Sequence, residues 1–183
     1  MSKLLFVDIE TTGFSREWDT IIEIAAILYD SEEKKELDIF HEYIKPNKSI
    51  PAKITEITGI DDYTVRNARD EMHVMRDFIE WVFLHNPDWV IGHNYKTFDG
   101  GFIRTKAEKY RFPMYETPIK DTLQIARSLK LPVPNNQQPT LAAYYGIVYK
   151  AHSAIEDVRA LIPIFFNMTK QPEIKAKREA AGF

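Results

Sequence analysis

The stretch KLLFVDIETTG, at residues 3–13, decides the fold. Its apolar and β-forming residues predict a buried strand over residues 3–10. Side chains alternate across a strand, so Asp8 and Glu10 point to the same side, while the residues next to them face the opposite layer. Two carboxylates on one face of a buried strand repel each other and lose hydration, which is costly unless a cation lies between them. The alternative is a strand end open to water, with both acids hydrated.

A tight turn follows this strand at Thr11, Thr12 and Gly13. The turn offers backbone N–H groups and two hydroxyls, which are groups that contact phosphates and sugars in nucleic-acid complexes. An Asp-x-Glu pattern alone is weak support for a metal site. The turn beside Asp8 and Glu10 strengthens that interpretation.

Periodicity and turn residues predict the other elements. Strands over residues 20–29 and 36–44 extend the first strand into an antiparallel meander. The remaining predictions are a helix over residues 70–84, a strand over 89–92, a helix that begins near Thr97, and helices over 122–129 (N-cap Asp121), 140–145 and 154–168. The order β-β-β-α-β-α-β-α predicts an α/β fold with a mixed sheet flanked by helices.

A third acid, Asp99, ends the segment GHNYKTFD at residues 92–99, between a predicted strand and a predicted helix. Its alternative role is to stabilise the helix start, because an acid in the first turn complements the helix dipole. Gly100 and Gly101 then fall inside the helix, where each costs about 1 kcal/mol relative to alanine. The pair predicts the close approach of another backbone, with a merely weak helix as the alternative.

The segment HSAIED at residues 152–157 contributes the last cluster. Ser153 and Glu156 have the spacing of a capping box, which predicts that the long helix starts at Ser153. His152 then lies on the loop that leads into the helix. Five residues apart on a continuous helix, two side chains diverge by about 140°. From the loop, His152 can converge with Asp157 on one site.

These clusters together supply the ligands of a metal-dependent nuclease. Hard cations take oxygen ligands, and Mg²⁺ uses one or two carboxylates per ion with waters and phosphate oxygens. Four carboxylates suit two ions, which at ~3.5–4 Å stabilise the attacking and leaving oxygens of a phosphodiester. His152 is then placed to take the proton from the attacking water. A zinc site would recruit several histidines, and only His152 is well placed. The four carboxylates are Asp8, Glu10, Asp99 and Asp157.

Bulk composition excludes several classes of protein. A chain of 183 residues fits one domain, predicted over residues 1–170, with residues 171–183 as a peripheral C-terminal helix or tail. The absence of cysteine excludes disulfides and thiolate metal sites and favours a cytoplasmic protein. No apolar run reaches about 18 residues, and Asp8 interrupts the opening apolar stretch, so neither a membrane span nor a secretion signal is predicted.

The net charge of −3 does not argue against a nucleic-acid substrate. If four of the 27 acidic residues bind metal, 24 basic residues face 23 acidic ones. Bound cations would also attract phosphate to the site. The composition therefore predicts a protein that holds a few nucleotides at a pocket and not a long duplex along a basic stripe.

The three segments at residues 8–13, 93–99 and 152–157 resemble the exonuclease motifs of the DnaQ-like 3′–5′ exonucleases, in their histidine-bearing DEDDh branch. ITGI at residues 57–60 and DTLQIAR at residues 121–127 are similar to secondary features of the proofreading-subunit-type members. The resemblance runs from about Leu4 to Phe166. Each motif alone is weak, but the three in this order are specific.

The resemblance implies a ribonuclease H-like fold with a five-stranded mixed sheet, whose second strand is antiparallel. It implies two Mg²⁺ or Mn²⁺ ions bound by the four carboxylates, with His152 as the general base. Ile60 and Phe98 would contact the last bases, where an aromatic ring can stack without reading sequence; core packing is the alternative for both. The full set of residues assigned to the substrate is Thr11, Thr12, Gly13, Ile60, Asn94 and Phe98.

The leading prediction is a 3′–5′ exonuclease that releases 5′-mononucleotides from single-stranded DNA. An exoribonuclease that trims RNA ends or short oligoribonucleotides is the alternative, because the choice depends on contacts to one 2′-hydroxyl. A catalytically inactive nucleic-acid-binding module is an alternative of another class, although it predicts the loss of at least one of five residues that are all present. The expected partners are 3′ ends of DNA or RNA, and a DNA polymerase or another replication or repair protein is a candidate.

Overall fold

The computed structural model describes residues 2–170 and contains six strands and six helices in that range. The strands are β1 (Lys3–Thr11), β2 (Ile21–Asp30), β3 (Lys35–Lys45), β4 (Arg69–Asp70), β5 (Trp89–Gly92) and β6 (Ile119–Asp121). The helices are α1 (Ala52–Thr58), α2 (Glu71–His85), α3 (Asp99–Tyr110), α4 (Thr122–Leu129), α5 (Gln138–Tyr144) and α6 (Ala154–Thr169). Residues 171–183, for which a peripheral helix or tail is predicted, lie outside the described residues.

The six strands form one sheet in the order β4-β3-β2-β1-β5-β6. β2 pairs antiparallel with both β1 and β3, whereas the β1–β5, β5–β6 and β3–β4 pairs are parallel. β2 is therefore the single antiparallel strand, and the predicted mixed α/β sheet is confirmed. The sheet has six strands where five are predicted, because β4 adds two residues beside the end of β3. Two residues are too few to show a strand period.

Side-chain alternation along β1 divides the core into two layers. Val7 and Ile9 are buried on one face with side chains of α2 and α3. Leu4 and Phe6 are buried on the other face with side chains of α6. Asp8 continues the row of Leu4 and Phe6, so the acids at the end of β1 lie on the side that α6 covers.

Parallel pairing brings three chain segments to one edge of the sheet. β1 and β5 run in the same direction, so their carboxyl ends meet there. α3 begins at Asp99 after the loop that leaves β5, and α6 crosses the face of β1 and β2 with its N-terminus at the same edge. No helix in residues 2–170 is both long and apolar enough to cross a membrane.

Candidate active site

Three carboxylates meet at the end of β1. One oxygen from each of Asp8, Glu10 and Asp157 lies within 4.8 Å of the other two. β1 provides two of these acids, and the start of α6 provides the third. Within residues 2–170, no hydrogen-bond donor or cationic side chain contacts the carboxylates of Asp8 or Glu10. The convergence predicted for these acids is present, and each of the three is only partly exposed.

Asp99 lies beside this group and is 2% exposed. Its Oδ1 accepts a hydrogen bond from the backbone N–H of Ile9 at 3.2 Å, so the side chain lies against β1 between Asp8 and Glu10. Asp99 is the first residue of α3, the position at which an acid would stabilise the helix dipole. Because its carboxylate also bonds across to β1, it belongs to the carboxylate cluster as well as to the helix start.

Burial makes the charged forms of these acids costly. Desolvation, together with the charges of Asp157, Glu23 and Asp99, raises the pKa of Glu10 to about 8. Desolvation raises the pKa of Asp99 to about 7, although backbone N–H groups oppose the shift. Burial followed by the charge of Asp99 raises the pKa of Asp8 well above its usual value. Burial also raises the pKa of Asp157.

Asp157 is held by three donors from the α5–α6 region. Tyr149 Oη donates to its Oδ1 at 3.0 Å, and Gln138 Nε2 donates to the same oxygen at 2.8 Å. The backbone N–H of His152 donates to Oδ2 at 2.8 Å. Sequence reasoning missed Gln138 and Tyr149, because only the packing of α5 on α6 brings them to the acid.

His152 lies outside α6 in a left-handed backbone conformation, with φ of 71°. This conformation is uncommon for a residue with a side chain and is found where the surroundings impose it. The bond from its N–H to Asp157 provides that constraint. His152 is exposed and borders the carboxylates, which agrees with its predicted position on the loop before the helix.

A fifth acid, Glu23, is fully buried on β2 opposite Glu10. Its Oε2 accepts from the N–H of Ala154 at 3.1 Å, and its Oε1 contacts His41 Nε2 at 2.7 Å. Glu23 therefore satisfies an N-terminal N–H group of α6 and joins that helix to the sheet. Sequence reasoning missed it, although an acid within the apolar run IIEIAAIL at residues 21–28 is a detectable signal.

The predicted capping box of α6 is absent. Ser153 occupies the N-cap position but forms no side-chain cap bond. Glu156 instead pairs with Arg159 at 3.1 Å. The carboxylate of Glu23 takes over the cap because it is buried against the helix start, where its Oε2 accepts from the N–H of Ala154.

The turn after β1 is held by its own hydrogen bonds. Thr11 Oγ1 donates to the carbonyl of Gly13 at 2.6 Å. Thr12 Oγ1 donates to Asp19 Oδ1 at 3.1 Å and accepts from the N–H of Thr20 at 3.0 Å. Asp19 packs so closely that a Cβ on Gly13 would lie 2.8 Å from its Cγ. Both threonine hydroxyls are thus engaged within the turn, as is the backbone N–H of Thr12, which donates to the carbonyl of Thr20 at 2.9 Å. The contact of this turn with a nucleotide stays a prediction.

The other residues assigned to the substrate differ in exposure. Phe98 is partly exposed and packs edge-on against Phe14, with ring centroids 6.2 Å apart. Asn94 has φ of 62°, and its backbone N–H donates to Asp121 Oδ1 at 3.1 Å. Ile60 is 3% exposed in a small apolar cluster, so the structure gives it the core-packing role and no free surface for a base.

The donor set fits hard divalent cations. Carboxylate oxygens are the ligands that Mg²⁺ and similar ions prefer. The carboxylates of Asp8 and Glu10 lack a partner in the described part of the chain, and the pKa of each is raised. A cation between them would supply the missing partner and return these acids to their charged forms.

Comparison with known proteins matches residues 5–165 to the family described as RNase_T exonuclease. The DNA polymerase III PolC-type protein of Bacillus subtilis (strain 168) is 34% identical over 165 residues, which cover 89% of this chain and 11% of that protein. The PolC-type protein of Listeria monocytogenes serovar 1/2a is 33% identical over 164 residues, with coverage of 89% and 11%. The chain thus spans about a tenth of the length of these relatives.

Solved structures of E. coli exonuclease I share the fold. The complex with a dT13 oligonucleotide has a TM-score of 0.83 at 22% identity and covers 97% of this chain and 43% of that chain. The zinc-bound complex with single-stranded DNA has a TM-score of 0.79 at 24% identity, with coverage of 95% and 42%. The fold is therefore the ribonuclease H-like α/β fold that the sequence motifs predict.

The raised pKa values predict how stability depends on pH in the absence of metal. The pKa of Glu10 rises from 4.5 to about 8, and that of Asp99 from 3.8 to about 7, so the folded protein binds these protons more tightly than the unfolded chain. Their protonation stabilises the fold fully below about pH 4, and this contribution is lost as the pH rises to about 8. We expect the melting temperature in EDTA to fall from pH 5 to pH 8.

A matched pair of variants isolates this effect from other titrating groups. Glu10→Gln with Asp99→Asn should flatten the fall, whereas Glu56→Gln on the exposed surface of α1 should leave it as in the wild type. Scanning calorimetry in EDTA measures both slopes. Equal slopes in all three proteins would show that the cluster carries no electrostatic strain.

The cap that Glu23 makes on α6 predicts a difference between two substitutions. Glu23→Ala leaves the N–H of Ala154 without its acceptor and should lower the free energy of unfolding by ~1–2 kcal/mol. Glu23→Gln keeps an acceptor oxygen and removes one negative charge near Glu10. In EDTA its free energy of unfolding should therefore be at least that of the wild type. Urea titration measures both. A glutamine variant as unstable as the alanine variant would mean that Glu23 acts through its charge and not as a cap.

Proposed function

The chain belongs to the RNase_T exonuclease family, and we propose that it hydrolyses phosphodiester bonds one at a time from the 3′ end of single-stranded DNA, releasing 5′-mononucleotides. The observation that carries the proposal is the convergence of Asp8, Glu10 and Asp157 within 4.8 Å, with Asp99 beside them. A helix cap or a solvated strand end would need no such arrangement. His152 borders the same group.

Each residue of the cluster has a role in the proposed reaction. Two Mg²⁺ or Mn²⁺ ions would be held by the four carboxylates, and when bound they neutralise the phosphate and make its attack by water easier. His152 takes the proton from the attacking water. Gln138 and Tyr149 orient Asp157 through their bonds to its Oδ1. Outer contacts of this kind fix the direction of a ligand oxygen.

Two observations support the 3′ end of single-stranded DNA as the substrate. Exonuclease I of E. coli, which shares the fold, has been solved with dT13 and dA16 oligonucleotides. Phe98 and the 84% exposed Phe14 form an aromatic pair in which Phe98 directly precedes Asp99. An exposed aromatic surface at this place suits stacking with an unpaired base. The relatives named as DNA polymerase III make a polymerase a candidate partner.

The reaction predicts a stepwise ladder of products. With 5′-labelled single-stranded DNA and Mg²⁺ or Mn²⁺, the label should move to ever shorter fragments, and EDTA should stop the reaction. A matched RNA strand in the same assay measures the preference between the two sugars. Cleavage of a circular single strand, or a ladder that persists in EDTA, would contradict a metal-dependent exonuclease.

His152 is proposed as the base and not as a metal ligand. His152→Ala should lower turnover by about 10²–10⁴, the usual contribution of general acid–base catalysis. Mn²⁺ affinity, measured by calorimetry, should remain close to that of the wild type. Arg159→Ala serves as the control, because it removes a surface residue of α6 that pairs with Glu156. Loss of Mn²⁺ binding in His152→Ala would assign the histidine to the metal instead.

A further inference from the structure

A cleft with three cationic side chains lies beside the start of α3. Its volume is 490 Å³, and Arg16, Lys96 and Arg104 line it, with Glu116 as the one acid among the lining residues. All three cations are exposed. Within residues 2–170 none of them forms an ion pair. We name this feature the α3 cleft.

Gly100 and Gly101 form the floor of the α3 cleft. A Cβ on Gly101 would overlap the guanidinium of Arg16, which lies over the first turn of α3 and donates from Nη2 to the carbonyl of Thr97. A Cβ on Gly100 would lie 2.7 Å from Cε1 of the Tyr95 ring. The close approach predicted at these glycines is therefore made largely by side chains. This close approach explains why α3 carries Gly100 and Gly101, although glycine weakens a helix.

Helix geometry places the third cation on the same surface. Arg104 follows Gly100 by four residues and Gly101 by three, so the three share one face of α3. Arg16 lies across the bare glycine turn, and Arg104 projects from the next turn. Lys96 precedes the helix, and its backbone N–H is fixed by Asp121 Oδ2 at 3.1 Å.

The α3 cleft adjoins the carboxylate cluster. Thr97, which accepts the bond from Arg16, is two residues before Asp99. Arg16 belongs to the loop between β1 and β2, which also carries Phe14 of the aromatic pair with Phe98. One loop therefore carries both a ring of the aromatic pair and a cation of the α3 cleft.

We propose that the α3 cleft binds the phosphodiester groups of the single strand just upstream of the terminal nucleotide, with Arg16, Lys96 and Arg104 as the contacts. This inference rests on the proposed function, since it extends the substrate path of that site. Guanidinium groups bind phosphate oxygens through paired N–H donors. The three cations suit a run of successive phosphates better than a single small anion.

Gly101→Ala provides a sharp test, because the added Cβ occupies the position of the Arg16 guanidinium while the charge of Arg16 remains. Alanine is also the better helix residue, by about 1 kcal/mol, so loss of folding is not expected, and a melting curve checks this. Arg16→Ala removes the cation itself. Lys35→Ala is the matched control, because Lys35 starts β3 at the opposite end of the sheet from the carboxylates.

Binding of 5′-labelled (dT)10 in EDTA, followed by fluorescence anisotropy, needs no turnover. Arg16→Ala and Gly101→Ala should each weaken binding about tenfold, the effect of one charge-assisted contact. The slope of log affinity against log salt should fall by about 0.7 in each, the value for one phosphate contact on a single strand. Wild-type affinity and slope in both variants would overturn the proposal.

Turnover separates this proposal from the proposed function. The p-nitrophenyl ester of thymidine 5′-monophosphate has a reacting phosphate and no upstream one. The measured quantity is kcat/KM for (dT)10 divided by kcat/KM for the ester. This ratio should fall about tenfold in Arg16→Ala and Gly101→Ala and stay constant in Lys35→Ala. An unchanged ratio in Arg16→Ala and Gly101→Ala would overturn the proposal. A wild type that binds (dT)10 with the expected salt slope but cleaves neither compound would contradict the proposed function and leave the cleft supported.

A site for a free anion is distinguished by competition. Inorganic phosphate, added at constant ionic strength, should not displace labelled (dT)10, because a single phosphate contacts only part of the cleft. Displacement at millimolar phosphate that is lost in Arg16→Ala would identify a free-anion site and overturn the assignment to strand phosphates.

Discussion

Repulsion among the carboxylates at the end of β1 is the constraint to which the rest of the site is adapted. Asp8 and Glu10 follow from the alternation of one strand, and Asp157 and Asp99 reach them because α6 and α3 begin at the same edge of the sheet. Backbone and side-chain donors bond to Asp157 and Asp99, whereas none in residues 2–170 bonds to the carboxylates of Asp8 and Glu10. The remaining charge requires cations or protons. The apolar layers on both faces of the sheet keep the acids in place in either case.

Glu23 shows how the scaffold transmits this constraint to α6. It is buried opposite Glu10, and it also accepts the first N–H of the helix that carries Asp157. This side chain therefore joins the sheet to the helix start through a hydrogen bond. The loop before the helix is fixed by a second contact, the bond from the N–H of His152 to Asp157. The position of α6 thus depends on this buried acid as well as on the apolar layer between the helix and the sheet.

Much of this arrangement could be predicted from sequence, because β1 is long and buried on both faces, and side chains alternate along a strand. Its two acids fall on one face in consequence, and the segments at residues 93–99 and 152–157 mark the other two acids of the cluster. β4 and α1 could not be predicted, since β4 has two residues and α1 buries none. The cap of α6 was predicted wrongly, because local spacing favoured Ser153 with Glu156, whereas a residue 131 positions away satisfies the helix. Packing between distant segments also placed Ile60 in the core.

The proposed reaction requires that cations, and not protons, bind between the carboxylates at working pH. Diffraction from crystals grown with Mn²⁺ at neutral pH, recorded near the manganese absorption edge, tests this most directly. We expect two anomalous peaks ~3.5–4 Å apart, in contact with the carboxylates of Asp8, Glu10, Asp99 and Asp157. A map with no peak within bonding distance of Asp8 and Glu10, in saturating Mn²⁺, would contradict it.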